Sequence, residues 1–230
     1  MSEIHNEDEQ NERSKGIQIT DEYLQIFGLL EKKAPIIFAG GKAGTGKTTF
    51  ISCLKVKYGD KMVVVAFTGV AALSCGGMTI HGLFQLPPRI ANEEDIKVID
   101  RNKELFESMS LLVIDEISMV RADVMDAIDH SLRKNRGSDE PFGGVQLLLL
   151  GDLFQLQPIL GKADAEALEL MGYEGYRFYD ALIFKQVPIR YKELTKVFRQ
   201  ADPKFIDLLD KVREGKDLDK VIPILNQRCI

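Results

Sequence analysis

The sequence predicts an α/β fold, a mainly parallel sheet flanked by helices on both faces. Three observations predict it. Several short apolar runs lack polar–apolar alternation, as expected of strands buried on both sides. Each run stops at glycine, threonine or acidic residues, and most are followed by a segment with helical apolar spacing. The strand–helix pair then recurs along the chain, which is the pattern of parallel strands joined by helical crossovers. With 230 residues, of which 45 % are apolar, the chain has enough material for one large or two small domains with a sizeable core.

Residues 1–16 carry almost nothing to bury and read as a disordered acidic tail. Glu3, Glu7, Asp8, Glu9 and Glu12 against Arg13 and Lys15 sum to −3, so only about −2 of the net −5 belongs to the rest. A nearly neutral body neither requires nor excludes nucleic acid, and any such contact must be a local groove. Thr20 caps a helix whose first turn carries Asp21 and Glu22, on the side the helix dipole favours. Tyr23, Phe27 and Leu30 stripe that helix. Pro35–Ala39 is a buried strand entering glycines, and Lys47–Tyr58 a helix ended by Gly59. Met62–Phe67 is the next strand, and Thr68–Leu73 turns into a helix. Leu111–Asp115 follows, with a helix from Arg121 that places Val124, Ile128 and Leu132 on one face. Val145–Leu150 and Val187–Leu194 complete five expected strands. Phe205, Leu208, Leu209 and Val212 stripe a late helix.

No apolar run approaches the ~20 residues of a membrane span, and the polar start lacks a signal peptide's apolar stretch. Cys53, Cys75 and Cys229 lie far apart, without C-x-x-C spacing. This argues against a disulfide framework or zinc site and for a reducing interior. An intracellular protein without membrane contact is expected, cytoplasmic if bacterial.

Gly41-Lys42-Ala43-Gly44-Thr45-Gly46-Lys47-Thr48 matches G-x-x-x-x-G-K-[ST] in full, between an expected strand and an expected helix. Glycines let the backbone curl so that successive N–H groups face a phosphate at the positive end of a helix. Gly41, Ala43, Gly44, Thr45, Gly46, Lys47, Thr48 and Thr49 are therefore the expected ATP-binding residues. Lys47 should reach the β- and γ-phosphates, and Thr48 should ligate Mg²⁺. Leu111-Leu112-Val113-Ile114-Asp115-Glu116 ends a buried strand in two acids, at the edge where open sheets bind ligands. Asp115 is placed to hold the magnesium shell, and Glu116 to orient or deprotonate the attacking water. An ATPase is expected.

Four further stretches bear on the type: Phe67-Thr68-Gly69-Val70-Ala71-Ala72, Met78-Thr79-Ile80-His81, Leu149-Leu150-Gly151-Asp152-Leu153-Phe154-Gln155-Leu156-Gln157-Pro158, and Leu194-Thr195-Lys196-Val197-Phe198-Arg199-Gln200. In this order they resemble the motifs of superfamily 1B helicases, the RecD-like and Pif-type 5′→3′ DNA motors. Asp115-Glu116-Ile117-Ser118-Met119 and Pro141-Phe142-Gly143-Gly144-Val145-Gln146 resemble the Pif type in particular. The resemblance runs from Thr20 to the end of the chain.

It implies a RecA-like P-loop NTPase domain over residues 17–230, the motor's domain 1A. Residues 85–109, with Pro87-Pro88 and then a polar helix, would be a small inserted subdomain, 1B, bearing a strand-separating wedge. Gln155 would couple the γ-phosphate to the DNA site, and Arg199 would act as an arginine finger. Thr68, Gly69, His81 and Phe84 would lie along single-stranded DNA. Forked or structured DNA is the implied partner of a monomeric motor serving DNA repair, recombination or telomere maintenance. Three features depart from the family pattern. Gln157 stands where proline is usual. The adenine-reading glutamine falls on Leu24, with Gln25 one residue late. The chain ends about thirty residues after Arg199, too few for a second RecA-like domain, so the expectation is a motor domain that hydrolyses ATP slowly and does not unwind alone. The alternatives are an AAA+ ATPase and a non-catalytic, nucleotide-gated DNA-binding module.

Overall fold

The computed structural model describes residues 19–198 and 202–227. The acidic tail expected over residues 1–16, Arg199 and Cys229 lie outside the described residues.

The sheet has six strands: β1 (Ile36–Gly41), β2 (Met62–Ala66), β3 (Met78–Thr79), β4 (Leu111–Asp115), β5 (Gln146–Gly151) and β6 (Ile189–Leu194). Their spatial order is β3-β2-β4-β5-β1-β6, and every pairing is parallel. The five expected strands are all present. β3, only two residues long, is too short to leave an apolar run, so the sequence gives no sign of it. The helices are α1 (Asp21–Glu31), α2 (Lys47–Tyr58), α3 (Gly69–Ser74), α4 (Ile80–Phe84), α5 (Lys103–Ser108), α6 (Ala122–Arg136), α7 (Lys162–Leu170), α8 (Pro203–Glu214) and α9 (Leu218–Asn226). The reading of the sequence did not anticipate α7, which buries only Leu168 and so has a weak apolar stripe.

Successive side chains of a strand point to opposite faces, and the core divides accordingly. Ile36, Phe38, Val63, Val65, Leu112, Ile114, Leu147 and Leu149 join one cluster. Ile37, Ala39, Met62, Val64, Leu111, Val113, Leu148 and Leu150 join the other. On the second face α1 supplies Tyr23, Ile26 and Leu30, and α2 supplies Phe50, Ile51 and Leu54. Thr20 caps α1, its hydroxyl accepting from the Tyr23 N–H at 3.3 Å. On the first face α6 contributes Val124, Met125, Ile128 and Leu132.

Helix α6 also buries Asp123, Asp126 and Asp129. Each carboxylate takes backbone N–H groups from a different loop. Asp123 accepts from Ala91 at 3.0 Å, and Asp126 from Leu182 and Ile183, both at 2.9 Å. Asp129 accepts from Phe142, whose φ of 53° belongs to the Pro141–Gly144 turn. Spaced three residues apart, these aspartates fall along one side of a helix with 3.6 residues per turn. They fasten three connections that have no strand to hold them.

Residues 85–109 pack on the same cluster. Leu86, Ala91, Ile96, Ile99 and Phe106 are buried there. Lys134 and Asn135 of α6 bond to the backbone of Ile96, Lys97 and Ile99. The segment is thus built into the main core, with only short helical turns and α5 in it. Its apolar residues are spread too irregularly for the sequence to announce the packing.

Asp126→Ala is expected to destabilise the chain by about 2–4 kcal/mol, because it removes the acceptor of two backbone N–H groups, that of Ile183 buried. Urea unfolding measures this, with His130→Ala on the same helix changing stability by less than about 0.5 kcal/mol.

Candidate nucleotide and DNA site

A parallel sheet turns all its strand ends the same way, so the loops that follow the strands meet along one edge. The phosphate loop follows β1, Thr68 follows β2, His81 follows β3, Glu116 follows β4 and Gln155 follows β5. Residues from Gly41 to Gln155, 114 positions apart in sequence, are brought together by that geometry alone.

The loop between β1 and α2 is held from below. Gly44 and Gly46 have φ of 81° and 84°, which turns consecutive N–H groups toward one side. A Cβ on Gly46 would lie 2.2 Å from the Tyr23 hydroxyl, so only glycine fits. That hydroxyl donates to the Gly46 carbonyl at 2.8 Å, and the Tyr23 ring stacks on Phe50 with centroids 4.5 Å apart. Burial pushes the Tyr23 phenol up to about 12, so it stays a donor at neutral pH. Thr45 is buried and donates to Lys42 O at 2.9 Å, and the Phe198 N–H reaches Gly44 O at 2.8 Å. Lys47 donates to the carbonyls of Gly41 and Lys42 at 2.6 and 2.9 Å. Thr48 and Thr49 open α2 and are exposed, as is Ala43.

Asp115 closes β4 and is only 7 % exposed. Burial raises its carboxyl above the usual range, against the Glu116 N–H and the charge of Lys47. Its Oδ1 accepts that N–H at 2.9 Å. Glu116 sits in the left-handed region at φ 52°, which turns its side chain off the strand direction. Thr68 Oγ1 donates to Glu116 Oε2 at 3.5 Å and also caps α3 by accepting from the Ala71 N–H at 3.2 Å. One hydroxyl therefore joins the acid after β4 to the helix start after β2.

The remaining expected residues divide. Gln155 and Gly69 are exposed at the edge. His81 is partly buried, edge-on to Phe67 at 5.6 Å; burial and then Arg121 hold its imidazole below the usual value, hence neutral at pH 7. Phe84 corrects the expectation of a DNA contact. It is 1 % exposed and packs on Phe106, because its position on α4 faces the core. Leu24 is 58 % exposed and Gln25 accepts from Lys192 on β6. The α1 residue that reaches the phosphate loop is Tyr23, read in the sequence only as part of an apolar stripe. Lys42, Asp152 and Arg213 were also missed; they become visible only where α8 meets these loops. Gln157 accepts from the Arg177 guanidinium at 3.1 Å at the surface. Among the described residues no group of three or more His, Cys, Asp or Glu converges as a metal site, and no helix is long and apolar enough to cross a membrane.

Comparison with known proteins agrees with this geometry. The PIF1-like helicase family model matches residues 18–221. The ATP-dependent DNA helicase RRM3 of Saccharomyces cerevisiae is 35 % identical over 240 residues, 97 % of this chain and 32 % of that protein. The human ATP-dependent DNA helicase PIF1 is 34 % identical over 210 residues, 89 % of this chain and 31 % of that protein. The crystal structure of Pif1 helicase from Bacteroides with ADP-AlF3 and ssDNA superposes with a TM-score of 0.86 at 42 % identity, over 91 % of this chain and 49 % of that one. A structure of two coordinating Pif1 helicases unwinding forked dsDNA gives the same TM-score and identity, over 92 % of this chain and 52 % of that one. The chain thus spans about a third of the length of these curated relatives and about half of the solved chains. The fold is the RecA-like one, and with a family match over almost the whole sequence the chain belongs to the PIF1-like helicases.

Proposed function

We propose that this chain is the N-terminal ATP-binding motor domain, 1A with the 85–109 segment as 1B, of a 5′→3′ DNA helicase. In the full-length protein, Mg-ATP hydrolysis would be coupled to movement along single-stranded DNA and to opening of forked or structured duplexes. The observation that carries the reading is the meeting of the phosphate loop, Asp115–Glu116, Gln155 and the Thr68 hydroxyl at one edge of the sheet. The relatives described as ATP-dependent DNA helicases, and the neighbour holding ADP-AlF3 and ssDNA, support it.

The site fits the nucleotide. The Gly44–Gly46 curl offers backbone N–H donors at the start of α2. Lys47 provides the cation beside it, resting on the Gly41 and Lys42 carbonyls. Asp115 and Thr48 are the residues to hold Mg²⁺, which commonly takes one or two protein oxygens and completes its shell with phosphates and water. A buried carboxylate that resists ionisation gains most from a divalent cation. Bound Mg-ATP supplies the phosphoanhydride whose cleavage drives the motor, with the cation offsetting phosphate charge. Glu116 orients water and takes its proton. Gln155 presents an amide that can both donate and accept. Arg199, four residues before α8, is the proposed arginine finger. Thr68, Gly69 and neutral His81 offer hydroxyl, N–H and imidazole to the backbone or bases of a strand crossing the edge. The Thr68–Glu116 contact is the short path between strand and hydrolysis.

Magnesium-dependent ATP hydrolysis, with and without oligo-dT and with Lys47→Ala as the blank, tests this directly. Equal rates in the wild type and Lys47→Ala would sink the reading. Glu116→Gln should lower kcat by about 100-fold or more, the usual worth of a general base, with nucleotide binding nearly unchanged by fluorescent ADP titration.

Asp115 makes a prediction of opposite sign for stability. A raised folded-state value means that stability falls as pH rises through it, so at neutral pH the ionised group is a cost. Asp115→Asn removes the charge and should raise the melting temperature by about 2–4 °C, the shift expected of roughly 1 kcal/mol in a chain of this size. The same variant should lose most of the extra stabilisation that Mg-ADP gives the wild type in a thermal-shift assay.

A further inference from the structure

Helix α8 touches the nucleotide edge at two points one turn apart. Its ends are well defined: Asp202 Oδ1 accepts from the Lys204 N–H at 3.0 Å, and Gly215 closes it at φ 69°. Arg213 lies near its last turn. The guanidinium meets Asp152 through two parallel bonds, Nε to Oδ2 at 2.8 Å and Nη2 to Oδ1 at 2.7 Å. Asp152 is 2 % exposed, and its Oδ1 also takes the Phe154 N–H at 3.1 Å. The Phe154 ring lies 4.3 Å from the guanidinium carbon and covers its outer side. Three residues earlier on α8, Asp210 pairs with Lys42 of the phosphate loop.

These contacts have different strengths. The fork on Asp152 is planar, shielded and bidentate, the geometry in which an arginine cannot be replaced by lysine without loss. The Lys42–Asp210 pair is partly exposed, with both side chains about one-quarter accessible, and so contributes less and breaks more readily. One helix therefore holds the Asp152–Gln157 loop tightly and the phosphate loop loosely.

We infer that Arg213 is a positioning residue for the nucleotide site: through Asp152 it fixes the loop that carries Gln155, and through Asp210 and Lys42 it makes that loop follow the phosphate loop. The inference rests on the proposed nucleotide reading. A shift of the phosphate loop at Lys42 is passed along α8 as a rigid lever and reaches Gln155 by way of the fork. Arg213 itself need not touch nucleotide.

Hydrogen exchange on the whole 230-residue chain, with and without Mg-ADP, tests this by following two segments, 41–48 and 152–157. In the wild type Mg-ADP should slow exchange in both. In Arg213→Met it should slow 41–48 and leave 152–157 unchanged. Arg213→Lys should behave like Arg213→Met, because the charge is kept and the fork is lost. Asp210→Ala should keep the nucleotide-free protection of 152–157 and lose its response to Mg-ADP; it decides the matter if neither Arg213 variant folds by circular dichroism. In hydrolysis, Arg213→Met should lower kcat about tenfold with KM for ATP within about threefold, the pattern of a lost transition-state contact. Full nucleotide-dependent protection of 152–157 in Arg213→Met, or parallel loss at both segments, overturns the inference. A wild type whose 41–48 segment gains no protection from Mg-ADP overturns the nucleotide reading itself, and this inference with it.

Discussion

A parallel sheet buried on both faces has only its two edges to offer to chemistry, and this chain gathers its described candidate site residues on one of them. Each strand enters the sheet from the same side, and each leaves it at the carboxyl edge. The loops there cannot continue the ladder and are free to turn, so the residues that follow β1, β2, β3, β4 and β5 become neighbours. The helices return the chain to the opposite edge and cover the faces on the way. Remove the covering and the strands, whose side chains are apolar on both faces, would have no reason to stay in water.

Buried carboxylates serve three purposes in this fold. Asp123, Asp126 and Asp129 accept backbone N–H groups and act as fasteners for loops, with Arg121 and Arg133 also pairing with Asp123 and Asp129. Asp152 meets a guanidinium. Burial alone would raise its carboxyl, but Arg213, the Phe154 N–H and Lys47 together bring it below the usual range. Asp115 meets one N–H and the distant charge of Lys47, and burial prevails. It stands where the proposed reading needs a cation.

The phosphate loop is likewise defined by its supports. Tyr23 from α1, Phe198 after β6 and Lys42–Asp210 from α8 all reach the stretch of five residues between β1 and α2. Elements from both ends of the sequence thus bear on one turn. A change of position there cannot remain local, since the same helix that holds Lys42 also holds Asp152.

The phosphate loop, the Asp115–Glu116 strand end and the strand–helix order were legible in the sequence because each depends on local spacing. Glycines at fixed intervals, an apolar run ending in acids and helical stripes keep their meaning wherever the chain goes. The fate of Phe84 was not legible, since an apolar residue on a five-residue helix could face core or solvent and only the packing of α5 against it decided. Tyr23 read as core and proved to be core with a hydroxyl aimed at Gly46. The three aspartates of α6 carried no signal in the sequence. Their burial was decided by loops from positions 91, 142 and 182, which no local pattern connects to them. The Arg213–Asp152 fork joins residues 61 positions apart. The sequence determined which local structures form and which carry phosphate chemistry. The tertiary structure alone decided which charges are buried and with whom, because a charge takes its energy from neighbours that chain distance does not predict.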